Sequence, residues 1–213
     1  MTLPEVIPIF PLPNVVLFPR MLLPLHVFEA RYREMVRDAA RGARLIGMAL
    51  LRDGWALDYQ GRPPVFAVGT VGEMVHLEEL PDGRSNIMLR GLRAYAIEQE
   101  VDRGTAYRQV RVAWRDSPAD RLAAGVREAI GALARRCIER QGGTVGKQLL
   151  EDSVDDEVFV NFFAQHLDVA PLEKQALLEA ATLAERAKRL TDALEFRLQE
   201  LRLNPGGTPG RTH

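Results

Sequence analysis

The sequence predicts an α+β protein: a β-rich lobe with one helix over residues 1–115, then a bundle of about four helices over residues 116–203. Three observations carry this reading. The first half alternates short apolar runs with turn residues. The second half repeats apolar residues at helical spacing between capping signals. Finally, residues 7–32 pack Pro8, Pro11, Pro13, Pro19 and Pro24 among large apolar side chains. Proline fixes φ and has no N–H, so this stretch is expected as short extended pieces with fixed bends, neither helix nor central strand. Ile9, Phe10, Val15, Val16, Leu17 and Phe18 are expected to hold it to a core.

A helix follows from near Val27, with Phe28, Tyr32, Met35, Val36 and Ala39 at helical spacing and Gly42 after its last turn. Arg31, Arg33, Glu34, Arg37 and Asp38 populate its outer face. Residues 45–51 form a nearly continuous apolar run, short enough for a buried strand. Residues 66–80 alternate in part and lead into Pro81-Asp82-Gly83-Arg84. Asp-Gly between two strand-like runs predicts a hairpin, because glycine tolerates the positive φ of a tight turn. The returning strand covers 87–90, and Gly91 then interrupts it, predicting a bulge or a close backbone approach. Residues 95–101 and 107–114 complete five or six strands, consistent with a small barrel or a pair of packed sheets.

In the second half, Ser117 precedes Pro118 as a cap before a first-turn proline, and Asp120 adds negative charge at the helix start. Leu122, Val126, Ala129, Ile130, Leu133 and Cys137 form one apolar face, ended by Gly142-Gly143. A second helix is expected after Ser153, with Val158, Phe159, Phe162, Phe163 and Leu167 inward. Pro171 opens a third through Leu177 and Leu178. Thr182 with Glu185 makes a capping box for a last helix carrying Leu183, Leu190, Leu194, Leu198 and Leu201. Short connections between amphipathic helices predict a bundle. The Gly/Pro-rich tail, 204–213, is expected to be disordered.

Composition narrows the function classes. With 213 residues, 46% apolar and 27% charged, the chain has a net charge of −1 and so no overall basic field for nucleic acid. A single cysteine, Cys137, excludes an intramolecular disulfide framework and a multi-cysteine metal site. No apolar run approaches the about 18 residues of a membrane span, and residues 1–25 lack the order of a signal peptide. A soluble, cytoplasmic protein is the expectation.

The chemistry-bearing residues assemble no catalytic, cofactor or metal motif. A phosphate-binding loop needs G-x-x-x-x-G-K-[ST]. Around Gly146-Lys147, position 141 is Gln141 and the magnesium-binding position is Gln148. Ser85, Ser117 and Ser153 each have a turn or cap role, and none sits in a Gly-x-Ser-x-Gly turn. His26, His76, His166 and His213 are scattered without ligand spacing. Asp152, Asp155, Asp156 and Glu157 read as acids favoured at a helix N-terminus. Arg31, Arg90 and Arg93 lie beside apolar positions, so Glu29 is expected to pair with one of them and pin the helix to the hairpin strands.

Several of these motifs, in order over about residues 7–202, resemble the N-terminal substrate-binding domain of the ATP-dependent protease Lon. They are I-P-I-F-P-L-P-N-V-V-L-F-P at 7–19, L-P-L-H-V-F-E-A-R-Y at 23–32 and V-G-T-V-G at 68–72, then Asp82-Gly83-Arg84, R-G-L-R-A-Y at 90–95 and E-K-Q-A-L-L-E at 173–179. The resemblance implies a PUA-like small barrel with one helix, followed by a helical bundle. It also implies a non-enzymatic, stand-alone module without the ATPase and Ser-Lys protease domains of Lon. Its role would be recognition of unfolded or extended polypeptides in protein quality control, as a substrate-binding module or as an adaptor for a separate protease or chaperone. Phe18, Met21, Leu22 and Leu23 are the residues expected to meet such a chain. The alternative is an RNA-binding PUA-like protein using arginines interleaved with Tyr95, Tyr107 and Trp114. Strand alternation would split those residues onto two faces.

Overall fold

The computed structural model describes residues 3–116, 121–140 and 154–203. The expected caps at Ser117 and Ser153, the loop around Lys147, the Gly142-Gly143 helix end and the tail lie outside these residues. The chain divides into two compact units, Met1–Ser117 and Pro118–His213.

The first unit holds six strands and one α-helix among its described residues: β1 (Val6–Leu12), β2 (Leu22–Val27), α1 (Ala30–Arg41), β3 (Leu45–Leu50), β4 (Val68–Glu79), β5 (Ser85–Val101) and β6 (Gln109–Trp114). A 3-10 turn at Trp55–Asp58, which the sequence pattern did not reveal, lies between β3 and β4. The sheet order is β2-β5-β4-β3-β1-β6, and β5 also pairs with β6, so the ladder returns on itself. Only β1 and β3 run parallel; every other pair is antiparallel.

Prolines do stand in an interior strand, contrary to expectation, and the ladder explains how. β1 pairs with β6 over Val6, Ile7 and Pro8, and with β3 from Ile9 to Leu12. Each half of the strand therefore has one open side. The Ile9 N–H reaches the Arg108 carbonyl at 2.9 Å on the β6 side. Alternation then turns the Pro8 nitrogen toward the β3 side before that pairing begins, and the Pro11 nitrogen toward the β6 side after that pairing ends. Neither proline removes a ladder donor.

Two other expectations change. The strands foreseen at 87–90 and 95–101 are one 17-residue strand, β5. The irregularity at Gly91 is a bulge: Val71 faces Arg93 while Gly72 faces Gly91, leaving Leu92 as the extra residue. Helix α1 begins at Ala30, because Val27 is still paired with Ser85 in β2. Tyr32, Met35, Val36 and Ala39 are its buried stripe, whereas Phe28, expected on that stripe, precedes the helix and is 61% exposed.

The core of this unit gathers Ile7, Ile9, Leu45, Val71, Tyr95, Val110 and Val112. Tyr95 is fully buried and its hydroxyl donates to the Met48 carbonyl at 2.9 Å. A Cβ on Gly69 would stand 2.5 Å from the Tyr95 hydroxyl oxygen, and one on Gly47 would stand 2.9 Å from it. The V-G-T-V-G and R-G-L-R-A-Y motifs thus interlock as ring and recess.

The second unit contains α2 (Val126–Arg140), α3 (Asp156–His166), α4 (Pro171–Glu179) and α5 (Leu183–Leu203). Ile130, Ala134 and Cys137 from α2, Phe159, Val160 and Phe163 from α3, Leu177 and Leu178 from α4, and Leu190, Leu194 and Leu198 from α5 are buried. Their caps are local. The Asp155 carboxylate accepts the Glu157 and Val158 N–H groups, and Thr182 Oγ1 accepts the Glu185 N–H at 3.1 Å. Arg186, 3% exposed, donates to Asn161 Oδ1 at 2.7 Å and to the Leu177 carbonyl at 3.1 Å. Among the described residues no helix is long and apolar enough to cross a membrane.

Candidate functional site

A proline turn and a glycine set the candidate site. Pro19 and Arg20 form a turn closed by the Met21 N–H on the Phe18 carbonyl at 3.2 Å. Arg20 holds φ at 67°, a left-handed conformation that favours glycine. The turn is fastened to β5: the Arg20 N–H reaches the Gly91 carbonyl at 2.7 Å, and the Gly91 N–H reaches the Met21 carbonyl at 2.8 Å. Such closeness needs glycine, since a Cβ at 91 would lie 2.3 Å from the Phe18 oxygen. Phe18 and Met21 consequently point into the core, at 0% and 6% exposure, while Leu22 emerges at 56% and Leu23 is half-buried.

From Leu22 onward β2 alternates. Leu22, Pro24 and His26 are exposed, opposite Arg90, Met88 and Asn86 of β5. The same face continues onto β4 through Glu73, His76 and Glu78, the partners of Arg90, Met88 and Asn86. Its centre is apolar (Leu22, Pro24 and the half-buried Met88), and Phe28 stacks on His26 with ring centroids 6.3 Å apart. Val75, the extra residue between Met74 and His76, is 43% exposed. The rim is polar. Arg90 pairs with Glu73 at 2.5 Å, His26 Nδ1 meets Asn86 Oδ1 at 2.8 Å, and the Asn86 amide donates to Glu78 at 2.8 Å. Arg84 bonds Asp82 at 2.6 Å and holds that carboxyl below the usual carboxylate range. β2 is an edge strand. The bond between Gly91 and Met21 fixes its parity, so the backbone groups of Leu22, Pro24 and His26 face outward. Pro24 puts a missing donor in the middle of that edge, a device that discourages pairing with another strand.

The expected ion pair is rearranged. Glu29 does pair with Arg31, at 3.0 Å, but its second oxygen accepts the Tyr59 hydroxyl, and Arg31 Nη2 donates to the Tyr59 carbonyl at 3.1 Å. Through this pair helix α1 is fastened at its start to the 55–59 turn. Arg90 is taken by Glu73, its direct cross-strand neighbour, and Arg93 by Asp116 and the Arg115 carbonyl. Tyr59 escaped the sequence reading because nothing in a polar, Gly-rich loop marks which residue turns back.

Elsewhere the residues weighed for chemistry stand apart. Among the described residues no three His, Cys, Asp or Glu side chains cluster as metal ligands. Ser85 is buried, and Cys137, whose thiol burial pushes up in pKa, donates to the Leu194 carbonyl at 3.5 Å. The aromatics considered for base stacking are occupied. Tyr95 is in the core, Trp114 packs edge-on against it with centroids 6.4 Å apart, and the Tyr107 hydroxyl donates to Asp38 at 2.9 Å.

Comparison with known proteins places these features in a lineage. The model of the family described as the ATP-dependent protease La (LON) substrate-binding domain matches residues 6–195. The chain is similar to the Lon protease of Cytophaga hutchinsonii, 26% identical over 206 residues, covering 94% of this chain and 25% of that protein. It is similar to Lon protease 2 of Myxococcus xanthus, 29% identical over 210 residues, covering 95% of this chain and 25% of that protein. The chain thus spans about a quarter of the length of the curated relatives it matches. Among solved structures, a Lon N-terminal domain protein from Xanthomonas campestris superposes with a TM-score of 0.65 at 26% identity, over 88% of this chain and 97% of that one. The N-terminal domain of a Mycobacterium avium complex Lon protease gives a TM-score of 0.66 at 14% identity, over 90% and 98%, a likeness of fold alone.

Proposed function

Since the chain belongs to the family of Lon substrate-binding domains, we propose that it is a non-catalytic module that binds unfolded or extended polypeptides, acting in the cytoplasm as a recognition or adaptor element for a separate protease or chaperone. The returning ladder of β5, β4, β3, β1 and β6 is read here as the PUA-like small barrel.

The observation that carries the proposal is the outer face of β2, where Leu22, Pro24 and Phe28 are exposed beside Met88 and ringed by paired charges. An apolar patch with a polar rim is the surface chemistry of a protein-binding site. Of the four residues expected to meet a chain, Leu22 is the one on this face; Phe18 and Met21 are buried, and Leu23 is half-buried on the other side of β2. Pro24 favours capture through side chains over addition of a new strand. The RNA-binding alternative draws no support from the aromatics, for the occupied positions described above.

Fluorescence anisotropy with a labelled, reduced and carboxymethylated unfolded protein tests the reading. Leu22→Asp combined with Phe28→Asp should weaken binding at least tenfold with the fold intact, because both residues are exposed. Equal binding by the wild type and the double variant, or no binding by either, removes this face from the function.

A further inference from the structure

We propose that the pocket between the start of α1 and the 105–108 segment is a binding site for a small oxyanion, a carboxylate or a phosphate group. The pocket measures about 210 Å³, and the only charged side chains in its lining are Arg31, Arg62 and Arg108. That volume is several times the about 30 Å³ share of one water. None of the residues of the β2 face lines it, so the inference stands apart from the polypeptide reading.

The guanidiniums are set in place before any ligand arrives. Arg31 lies over the Tyr32 ring at 4.7 Å and the Tyr59 ring at 5.0 Å, and uses Nε and Nη2 for Glu29 and the Tyr59 carbonyl. The Arg108 side chain is 9% exposed, with Nη1 donating to the Pro63 carbonyl at 2.7 Å and Nη2 paired with Glu100. Arg62, 58% exposed, makes no hydrogen bond among the described residues and stands 3.9 Å from the same Glu100. The three guanidiniums pair with two carboxylates, Glu29 and Glu100, and the buried Arg108 Nε has no hydrogen-bond partner among the described residues. Three more acids reach the pocket wall through lining residues: Asp58 stands against Gly61, and Glu34 and Asp38 of α1 are hydrogen-bonded to the 106–107 segment. Glu34 accepts the Ala106 N–H at 3.3 Å, and Asp38 accepts the Tyr107 hydroxyl.

Planar guanidiniums with unused N–H groups match the paired oxygens of carboxylate and phosphate. Two fixed arginines and one exposed arginine make a cradle with a swinging closure. Arg62 is free to fold over an anion seated against the other two.

The test is a titration of the protein with sodium phosphate and, separately, sodium acetate at constant ionic strength, followed by calorimetry and backbone amide NMR. Saturable binding of at least one anion, with shifts at Gly61, Arg62 and Ala106, is expected; the anion that binds tighter identifies the group recognised. Arg62→Ala should weaken binding about tenfold, the loss of one charge-assisted contact. Arg103→Ala, an exposed arginine outside the lining, should leave it unchanged. Thermal unfolding checks that both variants remain folded. Failure of both anions to saturate, or equal weakening by the two substitutions, overturns the site.

Discussion

Gly91 and Phe18 meet where the backbone of β5 passes under the proline turn, so closely that a methyl group at 91 would lie 2.3 Å from the Phe18 carbonyl oxygen. The same glycine exchanges hydrogen bonds with Arg20 and Met21, so one position fixes how Leu22 is presented. Gly91→Ala should destabilise the protein by about 2–3 kcal/mol, an overpacking cost against backbone that cannot rotate away. It should also weaken polypeptide capture by the β2 face. Urea unfolding of the purified variant measures the first; a midpoint equal to the wild type would contradict the contact.

Tyr95 is the second clamp. Tyr95→Phe keeps the ring in its glycine-lined recess but removes the donor to the Met48 carbonyl. About 1 kcal/mol of stability should be lost, with little change in structure. The measurement is again the unfolding midpoint, paired with a near-UV spectrum. Gly69→Ala, which fills the recess, should cost more than Tyr95→Phe.

At the start of α1, Glu29→Ala removes the partner of both Arg31 and the Tyr59 hydroxyl. A loss of about 1–2 kcal/mol is expected for hydrogen bonds to a charged group that is only partly exposed. Tyr59→Phe shares that network, so the double variant should lose less than the sum of the singles. Full additivity in a double-mutant cycle would mean the two residues act separately.

All four tyrosines have pKa values pushed upward, chiefly by burial: Tyr32 and Tyr107 to about 12, Tyr59 and Tyr95 in the same direction. The unfolded chain releases these protons near pH 10, while the folded chain holds those of Tyr32 and Tyr107 until about pH 12. Bound protons are therefore more numerous in the folded state across this window, and stability should fall as pH rises through it. Below pH 10 the contribution is fully present. Tyrosinate absorbance of the folded protein should appear only well above the ordinary tyrosine range; ionisation at the ordinary tyrosine pH in a folded protein would refute the burial.

Much of this was legible in the chain. Tyr32, Met35, Val36 and Ala39 gave α1 its stripe, Asp82-Gly83 gave the hairpin, and Asp155 and Thr182 sit at the helix starts their chemistry favours. What escaped depends on partners distant in sequence. β1 accepts Pro8 and Pro11 because two neighbours divide its length between them, and no local pattern encodes that division. Arg90 chose Glu73 because the register sets them opposite, a fact invisible until the bulge at Leu92 is placed. For the candidate face, only strand alternation separates the buried Met21 from the exposed Leu22, and no local pattern of residues 18–23 shows which is which. Phe28 and Met88 joined the face through pairing, not through spacing.

The divided pairing of β1 also bears on how the first unit is made. Its first strand must find both β3 and β6, and Val6 lies opposite Arg111 at the far end of the unit. On a ribosome the β1–β6 seam cannot form until residues 109–114 have emerged, so the earlier strands wait with open edges. Contacts this remote in sequence make for slow closure. The prolines of β1, having no N–H to offer on those open sides, keep the waiting strand from recruiting the wrong neighbour.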